Sequence, residues 1–361
     1  MTLHYGIIGC GMMGQEHIKN IQLLTDTKVA AIYEPDPEMR AIATGLAPDA
    51  VMVDALDDLL AIADLDCLVI VSPNHVHVDQ LEQISAKCDL PILVEKPLYT
   101  DAGDAARVRA IGENHAAPIW VAMEYRYMPP IAALLDRVDA STGGVKMLTI
   151  REHRFAFLPK VGDWNRFNAQ SGGTLVEKCC HFFDLMRLVT KSDPVRVMAS
   201  AGQEVNHLDE VYGGETSDIW DCGYVIVDFA NGMRAMLELS MFAEGAEYQE
   251  HVSAIGPEGK IECFVPGPGR FWPVELGAAP VSKLVISPRN PKGPQTEMIP
   301  VDEKLLDAGD HNGSTFYQHE GFQRVVLGQQ EPEVTLADGA WAVAIGLAAQ
   351  ESATTGQAVT L

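Results

Sequence analysis

The first third of the chain alternates short apolar runs with stretches in helical spacing. Runs at 4–9, 28–33, 50–53, 67–71, 91–95 and 119–124 read as strands. Between them, apolar residues at helical intervals predict helices near 13–24, 37–44, 56–61, 75–87 and 101–115. Segments such as CLVIV at 67–71 and PILVE at 91–95 lack polar alternation, as strands covered on both faces do. Strand–helix alternation implies right-handed crossovers and a doubly wound parallel sheet. A first domain over 1–124 follows.

Past Pro129-Pro130 the pattern changes. A helix over 131–139 leads through Gly143-Gly144 to a strand at 145–155, and a helix is expected at about 174–190. Strand-like runs at 195–201, 219–229, 233–241, 250–255 and 260–265 follow without helices between them. They predict an open, mostly antiparallel sheet in a second α/β domain, 125–361. Asn231-Gly232 marks a hairpin whose tight turn calls for positive φ at both central residues. The Pro- and Gly-rich stretch 266–294 reads as irregular, and helices near 314–327 and 336–352 complete the pattern.

Composition narrows the class. The 361 residues suggest about two domains. The 26 Lys and Arg stand against 50 Asp and Glu, a net charge of −24. Such a surface repels phosphate backbones and anionic lipid, which argues against nucleic-acid or membrane partners. No apolar run approaches the roughly 18 residues of a membrane span. MTLHYGIIG lacks the plan of a secretory signal. Seven scattered cysteines without a CxxC read as reduced thiols of a cytoplasmic protein.

The sharpest local signal is Gly9-Cys10-Gly11-Met12-Met13-Gly14, after one predicted strand and opening a helix. Gly9 permits a tight turn, Gly11 lets the backbone approach a pyrophosphate, and Gly14 lets the helix pack on the strand. Glu34 ends the second strand, where a carboxylate accepts from ribose hydroxyls and repels a 2′-phosphate. NAD is therefore favoured over NADP. Two further segments lie at strand carboxyl ends, where such sheets bind ligands: Ser72-Pro73-Asn74-His75-Val76-His77 and Glu95-Lys96-Pro97. Lys96 suits holding an alkoxide oxygen, or equally an ion pair with Glu95. On the 174–190 helix Glu177 and His181 stand four apart, so the carboxylate can orient an imidazole base, or merely form a surface pair. No third ligand at metal spacing accompanies them, so no metal is assigned.

Together these motifs resemble the Gfo/Idh/MocA family of glucose–fructose oxidoreductases, inositol dehydrogenases and rhizopine-catabolism proteins. GCGMMG, Glu34, SPNHVH, EKP, Gly172-Gly173 with His181-Phe182-Phe183-Asp184-Leu185, and the closing helix pair carry the resemblance over essentially the whole chain. It implies an N-terminal Rossmann domain and a C-terminal domain whose large sheet packs on another subunit as a homodimer or homotetramer. The final helix would return to the first domain. Met12, Met13, Ser72, Pro73, Asn74, His77, Glu95 and Lys96 join the glycines and Glu34 as expected cofactor contacts. Lys96 would be the catalytic lysine and His181 the base. Glu177 stands where the family carries Asp, and Lys178 with Cys179-Cys180 replaces a smaller, Gly-containing pair. The implied reaction oxidises a secondary hydroxyl of a sugar or cyclitol, with Arg126, Tyr127, Trp164, Asn165, His181 and His319 as substrate contacts. Three other readings compete: a redox-neutral NAD-dependent glycosidase, a dinucleotide sensor, and a metalloenzyme using Glu177, His181 and a further histidine.

Overall fold

Six strands with little polar alternation pair in parallel, in the order β3-β2-β1-β4-β5-β6. They are β1 (Leu3–Ile8), β2 (Thr27–Tyr33), β3 (Val51–Val53), β4 (Cys67–Ile70), β5 (Ile92–Val94) and β6 (Ile119–Val121). Helices α1 (Met12–Leu23), α2 (Pro37–Leu46), α3 (Leu56–Leu60), α4 (His77–Ser85) and α5 (Ala105–Asn114) connect them. Every residue of β4 and β5 is buried, which explains their unbroken apolar character. The strand order reverses between β1 and β4, so the crevice at their carboxyl ends is where a ligand is expected.

The computed structural model describes residues 2–361 and divides into two units. One holds the chain up to Glu124 with Pro159–Gly172 and Thr315–Val343; the other holds Tyr125–Leu158, Gly173–Ser314 and Ala344–Leu361. The elements after β6 are, in order, α6 (Pro129–Thr142), β7 (Met147–His153), α7 (Asn168–Ser171), α8 (Thr174–Glu177), α9 (Cys180–Thr190), β8 (Pro194–Gly202), β9 (Val211–Tyr212) and β10 (Glu215–Thr216). There follow β11 (Cys222–Phe229), β12 (Arg234–Ser240), β13 (Glu250–Ile255), β14 (Gly259–Val265), β15 (Lys283–Pro288) and β16 (Gln295–Met298). The chain closes with α10 (Glu303–Ala308), α11 (Ser314–Val326), α12 (Leu336–Thr355) and β17 (Val359–Thr360).

In the second unit nine strands form one sheet, β16-β15-β14-β13-β7-β12-β11-β8-β17. All its pairings are antiparallel except β7 with β12. β11 shows why one face is core: Val225 and Val227 are buried while the alternate residues Tyr224 and Ile226 are exposed.

Four local expectations need correcting. The 174–190 stretch is two helices, because the N–H groups of Phe182 and Phe183 both turn to Cys179 O and restart the hydrogen-bond series. The 266–294 stretch contains β15, whose apolar Leu-Val-Ile run is flanked by the prolines and glycines that obscured it. β16 is exposed at all four residues, an edge strand without an apolar signal. At the β11–β12 hairpin only Gly232 takes positive φ; the Asn231 side chain instead accepts from Met233 N at 3.1 Å.

Candidate functional site

In the first unit the glycine turn is shaped by close backbone approach. Gly9 has φ of 95°, and a Cβ there would stand 2.8 Å from Val71 O, in the loop after β4. A Cβ on Gly14 would stand 2.6 Å from Gly9 O. Gly11 differs: nothing lies within 4 Å of its Cβ position. It starts α1, which has neither a side-chain cap nor an acid in its first turn. The free N–H groups of that helix end, beside open space, fit a pyrophosphate. Met12 is exposed and Met13 half-buried at this helix start.

Glu34 is buried, and its two oxygens accept from the main-chain N–H groups of Cys10 and Asp36. Each oxygen keeps a further lone pair for a hydroxyl. Arg40 is held by Val53 O at 2.7 Å and by Asp54, so its charge serves the α2–β3 connection.

The loops after β4 and β5 are tied by one imidazole. His77 is wholly buried, with Nδ1 2.9 Å from Pro97 O and Nε2 3.0 Å from Ser72 O. Burial pushes its pKa down, against the pull of the two carbonyls. His77 thus spends its polar atoms on the loops rather than on a cofactor. Ser72 Oγ donates to Gln80 at 2.6 Å, and Asn74 Nδ2 donates to Ser171 O at 3.1 Å. Pro73 starts the turn into α4.

Beside Lys96, which is half-buried, Glu95 accepts from His17 Nε2 at 2.9 Å. His17 Nδ1 lies 2.7 Å from Nε2 of His319, and both rings are wholly buried. Burial, then the His17 ring, pushes the His319 pKa well down. His319, an expected substrate contact, is turned instead toward the support of Glu95. The sequence offered a signal for His17 only in hindsight: it lies one turn past Gly14, on the buried side of α1. Trp164 is buried too, with the Lys160 ammonium 4.4 Å from its ring centroid, and Asn165 and Arg166 are buried beside it.

In the second unit, Gly173 introduces α8, and Glu177 and His181 are both buried at the α8–α9 junction. The imidazole lies flat against Tyr125, with centroids 4.1 Å apart and planes 8° from parallel. Arg126 grips Asp184 with a two-pronged guanidinium contact, Nε to Oδ2 at 2.6 Å and Nη2 to Oδ1 at 2.5 Å. Arg187, nearer in sequence, pairs with Asp193. Tyr127 is half-buried. Cys179 and Cys180 are buried and in no disulfide, as are Cys10, Cys67 and Cys263.

Two family models match this chain. Residues 3–123 match an oxidoreductase-family NAD-binding Rossmann fold, and residues 140–361 match an oxidoreductase-family C-terminal alpha/beta domain. Inositol 2-dehydrogenase of Rhizobium meliloti strain 1021 is 27% identical over 263 residues, 72% of this chain and 75% of that one. The crystal structure of a myo-inositol dehydrogenase from Corynebacterium glutamicum superposes with a TM-score of 0.76 at 23% identity, covering 100% of this chain and 99% of that one. A levoglucosan dehydrogenase in complex with NADH and levoglucosan superposes with a TM-score of 0.79 at 19% identity, over 100% and 99%. At those identities the two structures speak for the fold. Among the described residues no helix is long and apolar enough to cross a membrane.

Proposed function

This chain belongs to the Gfo/Idh/MocA family of oxidoreductases, and from that premise we propose that it oxidises a secondary hydroxyl of a cyclitol or sugar with NAD. The observation that carries the reading is the presence, in one chain, of Lys96 behind β5 and of Glu177 and His181, both buried, after Gly172-Gly173. The curated inositol 2-dehydrogenase relative supplies the substrate class.

When bound, NAD supplies the hydride acceptor. His181 takes the hydroxyl proton. Lys96 stabilises the developing oxyanion, and Glu177 stabilises the charged imidazole. Glu34 favours NAD because an anion there repels a 2′-phosphate. Tyr127 is the substrate contact of this reading, while Arg126 acts through Asp184 and His319 through His17. The exposed apolar residues Tyr224, Ile226, Met147 and Ile255 on the nine-stranded sheet are assigned to a second copy of the chain. Light scattering of the purified protein tests that last point.

The test of the activity is NADH formation with a panel of inositols, aldoses and glycosides, with NADP in parallel. Turnover with NAD on one of them is expected, and Lys96→Ala and His181→Ala should each lose about a hundredfold or more. Silence across the panel with NAD still retained by the protein would turn the reading toward a redox-neutral glycosidase or a sensor.

A further inference from the structure

The segment that carries His181 also carries a lysine in a place that an apolar side chain would fill. Lys178 is 6% exposed. Its ammonium donates to Tyr125 Oη at 2.5 Å and pairs with Glu152 Oε1 at 2.8 Å. Glu152 lies on β7, directly across the ladder from Glu250 on β13, and both carboxyls are buried. Like charges so placed repel. Burial, then the charge of Glu152, pushes Glu250 up to about 7. Glu152 is therefore the anion that chiefly balances Lys178. Burial and Arg154 push the Lys178 ammonium down, and Glu152 and Glu250 act the other way.

A buried ion pair of this kind contributes little net stability, because desolvation offsets most of its Coulomb attraction. Its position suggests another use. The Lys178 ammonium sits 4.8 Å from the centroid of the Tyr125 ring, and that same ring stacks on His181. The chain of contact runs from Glu152 through Lys178 and Tyr125 to the imidazole. Around the stack stand Glu177 and Asp184 from the helices, Arg126 on Asp184, His311 with its ring 6.3 Å from Tyr125, and Glu152, Glu250 and Arg154 from the sheet side. Lys178 touches the stacked tyrosine through its hydroxyl.

Resting on the reading of His181 as the base, we infer that Lys178 and Tyr125 are positioning residues for it. Lys178, anchored on Glu152, holds the phenol so that the tyrosine ring keeps the imidazole in one orientation and favours its neutral, proton-accepting form. A cation hydrogen-bonded to the phenol of that ring disfavours a second positive charge on the imidazole.

Two variants test this. Tyr125→Phe keeps the stacked ring and removes the hydroxyl that Lys178 holds. Glu152→Gln with Lys178→Met removes both charges together, so that no lone ion is left buried. The readouts are the His181 imidazole titration by NMR, with His181→Asn identifying its signal, and kcat and KM separately. In both variants the His181 midpoint should rise by about half a unit or more. The kcat should fall about tenfold, with KM for NAD within about twofold of wild type. An unmoved His181 titration in folded Tyr125→Phe overturns the inference, even if the double variant fails to fold. A shifted titration with unchanged kcat upholds the positioning and overturns instead the role of His181 as base.

Discussion

The carboxylate of Glu34, at the end of β2, accepts the main-chain N–H of Cys10 from inside the glycine turn that follows β1. Its second oxygen takes the N–H of Asp36 at 2.7 Å. The side chain that would choose between dinucleotides therefore also holds the turn that would cradle their phosphates. Glu34→Gln keeps the shape but sets an NH2 group where one of these N–H donors needs an acceptor. A hydrogen bond to a charged group contributes about 1.5–3 kcal/mol, so NAD affinity should fall about tenfold or more without a matching gain for NADP. Calorimetric titration of both dinucleotides checks it. Unchanged NAD affinity would separate the turn from the carboxylate.

How far the sequence alone reached depended on the range of the interactions involved. β4 and β5 were legible because strands buried on both faces carry no polar residue to interrupt them. Gly14 was legible because the backbone oxygen of Gly9, five residues back, leaves no room for a Cβ. The pairing of Arg126 with Asp184 was not, because 58 residues separate the two and nothing local distinguishes Asp184 from a surface acid. The same holds for His17 and His319, 302 residues apart. β16 escaped because an exposed edge strand has no hydrophobic period to read.

Gly14 makes the sterics of the turn measurable. Its Cβ position lies 2.6 Å from Gly9 O, a backbone atom that cannot rotate away. Gly14→Ala must push α1 off β1, and overpacking of this kind costs about 1–3 kcal/mol. The expected result is a lower urea midpoint together with weaker NAD binding. Gly11→Ala is the contrast, since nothing lies within 4 Å of its Cβ position. It should leave the midpoint near wild type and weaken only dinucleotide binding. Equal midpoints for all three proteins would remove the packing role of Gly14.

Arg126→Met probes the guanidinium fork. Asp184 is 1% exposed, so losing Arg126 removes a two-pronged cationic partner from a buried carboxylate. Breaking one side of such a pair typically costs about 3–5 kcal/mol. Lysine would not substitute well, because it offers a point charge in place of a planar fork. Chemical denaturation of Arg126→Met should show that loss, and adding Asp184→Asn should recover part of it. If stability held and KM for the alcohol rose instead, Arg126 would be a substrate contact after all.

Glu250 offers a stability experiment with a defined sign. Its carboxyl is pushed from 4.5 up to about 7, first by burial and then by the charge of Glu152. Between those values the folded chain keeps a proton that the unfolded chain has lost. Stability from this group is therefore fully present below about pH 4.5, declines as pH rises through the window, and is gone above about pH 7. Buried His77 and His319 slope the other way below about pH 6.5, since their folded pKa values are pushed down. The difference between wild type and Glu250→Gln isolates the carboxyl. Glutamine keeps an oxygen for Gln249, whose Nε2 donates to Glu250 at 2.6 Å, and has no charge to bury. The variant should match wild type near pH 5 and exceed it by about 1–3 kcal/mol near pH 8. Denaturant unfolding at a series of pH values measures this directly. Curves that ran parallel would mean that Glu250 ionises as readily in the folded protein as in the unfolded chain.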